Sequence, residues 1–157
     1  MNTDRRQALK SAGAFSLYAL VAAAGWSSPR TAAAEAWNQG AFDTHSMDET
    51  LKALGATPPV PSKDVVFFAT PDIAENGAVV PVGITSNVPK TEAIAVLIEK
   101  NPNMLAAVFD IPPGTDASLS TRIKMAQTSN VFALVKADGR YYLASKEIKV
   151  TLGGCGG

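Results

Sequence analysis

One sulfur atom dominates the chemistry this chain can offer. Cys155 is the only cysteine in 157 residues, two positions from the carboxyl terminus, with Gly153 and Gly154 before it and Gly156 and Gly157 after it. A thiol in that setting is neither a core residue nor half of an intramolecular disulfide, so its use lies in reactivity and reach. Glycine adds no side chain and little backbone restriction, which predicts a thin, flexible arm over 153–157. Such an arm can carry sulfur into a narrow pocket of another protein. The terminal carboxylate two residues away disfavours the thiolate, and no histidine or lysine lies close in sequence to favour it. The arm is therefore built to be acted upon rather than to catalyse.

Other reactive constellations are sparse. Asp43, His45 and Ser46 lie within four positions of one another, but a lone histidine just ahead of a helix cap reads as a surface or capping residue. One histidine and one cysteine do not make up a metal-ligand set, so no metal, no cofactor and no catalytic residue is expected. Asp72, Glu99 and Asp110 show no pairing suited to acid/base work.

The amino terminus indicates where the thiol works. Arg5 and Arg6, followed by Leu9 and Lys10, lead into a weakly apolar stretch from Ser11 to Trp26, and Ala32, Ala33 and Ala34 supply small residues for cleavage. This is read as a twin-arginine export signal over 1–34, although Asp4 and Ala8 stand where Ser/Thr and Phe are more usual. Periplasmic localisation and no membrane attachment after cleavage are expected. The twin-arginine route moves folded proteins, which makes a co-exported partner plausible. Cleavage after Ala34 takes four basic residues and one acidic residue from balanced totals of 14 and 14, leaving 123 residues at a formal charge of −3. That length suits one domain. No basic stripe is available for nucleic acid, and no basic amphipathic helix for a membrane surface.

The elements that must position Cys155 follow from periodicity. Phe42 to Gly55 carries helical spacing at Met47, Leu51 and Leu54, a Ser46/Glu49 capping box and Gly55 as a stop. Pro58, Pro59 and Pro61 predict an extended connector, so 35–61 is taken as an N-terminal helix and Pro-rich connector. The period then falls to two. Val65–Thr70 and Val79–Ser86 flank Asn76-Gly77, a turn signal for a hairpin-like connection; Ala93–Glu99 and Met104–Ile111 flank Asn101-Pro102-Asn103. Leu119, Thr121, Ile123 and Met125 alternate with polar residues, and Asn130–Lys136 and Tyr141–Val150 flank Asp138-Gly139. About seven short strands with little helix predict an all-β, immunoglobulin-like antiparallel β-sandwich over 62–152. Five extended residues beyond Val150 would carry the thiol roughly 17 Å from the sheet.

Four features together resemble one family: the twin-arginine leader, the segment from Pro71 to Val82 (PDIAENGAVVPV), Asn101-Pro102-Asn103, and above all the terminal GGCGG. They resemble SoxY, the sulfur-carrier subunit of the periplasmic Sox system of thiosulfate oxidation. The resemblance spans essentially the whole mature chain. It implies a heterodimer with a SoxZ-like subunit and a covalent role for Cys155. A haem-containing enzyme, SoxAX, would join thiosulfate to that thiol; a dimanganese hydrolase, SoxB, would release sulfate. A sulfane dehydrogenase, SoxCD, if present, would oxidise the remaining sulfur. Gly153, Gly154, Gly156 and Gly157 would then be slender enough to thread a channel.

Two other functions compete on sequence grounds. The chain could be an exported immunoglobulin-like binding module tethered by an intermolecular disulfide at Cys155, which predicts a stable reducible homodimer. Alternatively Gly156-Gly157 could serve as a thiocarboxylate-forming tail, as in ubiquitin-like sulfur carriers. Those need ATP and a cytoplasmic adenylating enzyme, and neither the leader nor the number of strands fits them.

Overall fold

The sharpest local instruction in the sequence is Asp138-Gly139, and it is obeyed: both residues adopt left-handed backbone, at φ 48° and 73°. A two-residue hairpin needs positive φ at both central positions to match the strand twist, and Asp and Gly tolerate it best. The hairpin joins β8 (Ser129–Ala137) to β9 (Arg140–Val150), with Ala137 opposite Arg140. The structure, a computed structural model, describes residues 38–56 and 58–152. The leader, with Arg5 and Arg6, and the terminal segment, with Gly153, Gly154, Cys155, Gly156 and Gly157, lie outside the described residues.

Two sheets pack as a sandwich. The larger continues from β8 to β5 (Thr91–Ile98) and then β6 (Leu105–Asp110), all antiparallel. The smaller has the order β2 (Val65–Phe68), β4 (Val80–Ser86), β7 (Ser118–Ile123). Alternation works as expected on β4, where Val80, Val82 and Ile84 are fully buried. They share a core with Ile94, Val96 and Ile98 of β5, Val131, Ala133 and Val135 of β8, and Ile148 of β9. Interdigitation of two inner faces makes the core of a sandwich. Phe67 and Tyr142 pack against this core, whereas Phe68 faces outward on the smaller sheet. Its ring lies over Gly83, where a Cβ atom would come within 2.7 Å of the ring and 2.5 Å of the Phe68 carbonyl oxygen.

A helical layer covers the outer face of the larger sheet, which alternation alone did not reveal. The short helices α1 (Gln39–Phe42) and α2 (Met47–Ala53) bring Ala41, Phe42, Met47 and Leu51 onto Ala95, Leu97, Leu105 and Leu134. Both faces of β5 are therefore apolar, and Ile94 to Ile98 form an unbroken buried run. Tyr141 belongs to this second cluster and its hydroxyl donates to the Leu54 carbonyl.

The capping chemistry is present with one displacement. Ser46 Oγ accepts from the Glu49 amide at 3.3 Å, but Glu49 Oε2 accepts from the His45 amide at 3.0 Å, one residue earlier than a reciprocal box would have it. The His45 N–H bond holds the Glu49 carboxyl below its ordinary pKa. At the other end Gly55, at φ 65°, donates to Lys52 O while Ala56 donates to Leu51 O, a Schellman stop.

Two expectations about connections need correction. Asn76-Gly77 does not close a hairpin between β2 and β4. Those strands do pair antiparallel, but between them the chain crosses to the other sheet and forms β3 (Ile73–Ala74), parallel to β9. Nor are Pro58 to Pro61 only a connector: Val60–Pro61 form β1, parallel to β9 opposite Tyr142 and Leu143. Proline lacks an N–H but can sit on an outermost strand, and the next donor, Ser62 N–H, reaches Leu143 O at 3.0 Å. Thus β1 and β3 line the same edge of β9, near its two ends.

Candidate functional site

The last strand, β9, leads towards Cys155, so the bonds around its end set where the chain departs for that residue. The ladder to β3 pairs Ile73 with Lys149 and Ala74 with Val150. Lys149 N–H donates to Asp72 O at 2.9 Å, and Thr151 N–H donates to Ala74 O at 3.1 Å. Pairing thus continues past Val150. The Thr151 hydroxyl donates to Glu75 O at 3.0 Å, and Gly77 N–H donates to the carbonyl of Leu152 at 2.7 Å. On the side towards β8, Val150 N–H donates to Thr128 Oγ1 at 2.9 Å.

The crossover that makes these bonds is itself tied down. Lys146 Nζ donates to Thr70 O and pairs with Asp72 Oδ1 at 3.0 Å. The Asn76 side chain accepts from Ala78 N–H at 2.8 Å, an Asx turn that sets up the Gly77 peptide. The carbonyl of Gly77 accepts from Met125 N–H at 2.7 Å, which links the crossover to the loop between β7 and β8. Asn101 holds that loop from its far side: its Nδ2 donates to Lys124 O at 2.8 Å and its Oδ1 accepts from Ala126 N–H at 3.0 Å. The segments 71–82 and 101–103, far apart in sequence, thus converge through residues 124–126 on the point where the chain leaves for Cys155.

Leu152, the last described residue, is thus still bonded through its main chain, two residues past the end of β9. Three residues separate it from Cys155, a span of about 10 Å at full extension.

The remaining sequence candidates fall into structural roles. His45 Nδ1 donates to the Pro102 carbonyl, and its main-chain N–H serves Glu49, so it braces the helix cap against the 101–103 turn. Ser46 is occupied as the cap. Among the described residues no group of three or more His, Cys, Asp or Glu side chains is placed to hold a metal ion, and no helix is long and apolar enough to cross a membrane. Sequence reasoning missed Thr128, Thr151 and the main chain of 72–77. Most of their contribution is through backbone groups, and the one available signal was the resemblance carried by 71–82.

The fold and its end together define a class: a two-sheet β-sandwich domain whose last strand is anchored where it hands over to a cysteine-bearing tail. The comparisons narrow the class. The family profile described as sulfur oxidation protein SoxY matches residues 51–155, a span that ends on Cys155 itself. The structure of the sulfur carrier protein SoxY from Chlorobium limicola f thiosulfatophilum is similar at 34% identity and a TM-score of 0.60, over 67% of this chain and 94% of that one. A structure concerning T cell specificity and activation by the bacterial superantigen toxic shock syndrome toxin-1 aligns over 55% of this chain and 98% of that one. At 13% identity and a TM-score of 0.37 it carries no argument. No curated protein sequence matches the chain. The chain belongs to the SoxY family of sulfur-carrier proteins in sulfur oxidation.

Proposed function

We propose that this protein is the covalent substrate carrier of a periplasmic thiosulfate-oxidising system, with Cys155 as the attachment point. The observation that carries the reading is that the family match runs through to the sole cysteine, three residues beyond Leu152, whose carbonyl is bonded to Gly77. In the first step the Cys155 thiol and thiosulfate form an S–S bond, releasing one proton and two electrons to the haem enzyme, SoxAX. In the second, water cleaves the bond between the sulfane sulfur and the sulfonate. Sulfate and two protons leave, and a persulfide stays on Cys155. The carrier supplies the thiol and its reach, while the dimanganese hydrolase SoxB supplies the second step and a sulfane dehydrogenase, SoxCD, a later one.

The twin-arginine leader, Arg5 and Arg6, supports export, and a SoxZ-like subunit is the expected companion. Gly153, Gly154, Gly156 and Gly157 keep the tail narrow enough for a partner's channel.

The test is intact mass spectrometry of the exported protein from cells grown on thiosulfate, with and without reductant, beside Cys155→Ser. Reductant-labile additions of thiosulfate or sulfur on the wild type alone are expected. An unmodified thiol, adducts that persist in the serine variant, or only a reducible homodimer would overturn the carrier reading.

A further inference from the structure

The crossover between β2 and β4 is longer than a direct connection requires, and its main chain is spent on the end of β9. From Asp72 to Gly77, the carbonyls of Asp72, Ala74 and Glu75 and the amide of Gly77 each bond to Lys149, Thr151 or Leu152. The bond from Gly77 to Leu152 and the Thr151 hydroxyl bond to Glu75 lie beyond the last strand residue, Val150, so they are not needed to close the sheet. Behind them stands a second tier, in which Met125 holds Gly77 and Asn101 holds 124–126.

We propose that the 72–77 crossover is a positioning device for the terminal cysteine, fixing Leu152 as the origin of the tail. Thr151 and Gly77 are its principal positioning residues. With the origin at Leu152, Cys155 stays within about 10 Å of that point; released back to Val150, the same tail would reach about 17 Å. The volume available to the thiol would then grow about five-fold and its effective concentration at a docked partner would fall by the same factor. The proposal rests on the carrier reading for its purpose, but the positioning itself can be measured without it.

The experiment compares the full-length mature protein, with any co-purifying subunit, and the double variant Gly77→Pro/Thr151→Pro, which removes the Gly77 amide bond to Leu152, the Thr151 amide bond to Ala74 and the Thr151 hydroxyl bond to Glu75. A nitroxide is attached to Cys155 and another to a cysteine introduced at the exposed Ser120. Pulsed dipolar spectroscopy then reads the distance distribution. The distribution in the double variant is expected to extend by up to about 7 Å, the length of two released residues. On unlabelled protein, KM for loading by the thiosulfate-conjugating enzyme is expected to rise about five-fold with kcat unchanged. An unaltered distribution and KM in a folded double variant would overturn the proposal. Should the proline variant fail to fold, Thr151→Val alone and amide exchange of Gly77 and Thr151 in the wild type decide the matter: protection supports the proposal, and exchange at free-peptide rates overturns it. Altered distances in a protein whose Cys155 takes up no sulfur would support positioning and remove the carrier reading; loading with unaltered distances would do the reverse.

Discussion

Where β9 finishes, the crossover, the 124–126 loop and the 101–103 turn are bonded one to the next. At the opposite end of the sandwich, loops 86–91 and 112–117 line an open cavity of about 290 Å³. There the ion pair of Lys90 with Asp138, at 3.1 Å, leaves the two side chains 72% and 70% exposed. Both ends belong to the same strands, so sheet pairing alone does not account for the contrast. The loops at that far end are bonded as well, Ser86 N–H to Ala117 O and Asn87 N–H to Asp64 O at 2.8 Å each, but they leave a cavity between them, whereas the bonds at the first end close onto the last residues of β9 and the two that follow it.

Three substitutions probe that contrast. Asn101→Ala strands a carbonyl and an amide of the 124–126 loop, and at about 1 kcal/mol per lost bond it is expected to cost about 1–2 kcal/mol in urea unfolding. A loss below about 0.5 kcal/mol would mean that the second tier contributes little. Glu49→Gln tests the brace between the helix cap and the 101–103 turn. A carboxyl whose folded pKa is depressed adds stability above its unfolded pKa and loses it as pH falls through the folded value. The variant should therefore melt below the wild type at pH 7 and coincide with it once the solution is well below pH ~4. A gap that is independent of pH would show that the effect is not electrostatic. Lys90→Ala at the other end should change stability by less than about 0.5 kcal/mol, since exposed pairs are screened by solvent. A larger loss would erase the distinction between the ends.

What could be read from the sequence divides along the same line. Asp138-Gly139 and Ser46 with Glu49 were legible because each acts on backbone a few residues away and requires a particular residue type. Asn76-Gly77 was recognised as a turn but assigned the wrong purpose: turn residues specify local dihedral angles, and nothing in them names the strand to be paired next. Val60-Pro61 was hidden because proline argues against strand, and only a neighbour with a free edge, here β9, makes it acceptable. The run from Ile94 to Ile98 lacks the half-buried alternation of a one-sided strand because a helical layer, distant in sequence, covers its other face. Cys155 stood out from composition, whereas the frame around Leu152 did not, since main-chain hydrogen bonds leave almost no mark on side-chain identity.

The bond between Gly77 and Leu152 also has a kinetic consequence. Three residues of chain keep Cys155 within about 10 Å of Leu152, and on the carrier proposal its sulfur would then be present at a local concentration on the order of 0.4 M. On the carrier proposal, a partner enzyme docked against this end of the sandwich would need little intrinsic affinity for the sulfur adduct. It would release the product as readily as it took the substrate, and one carrier would serve successive enzymes without being held by any of them.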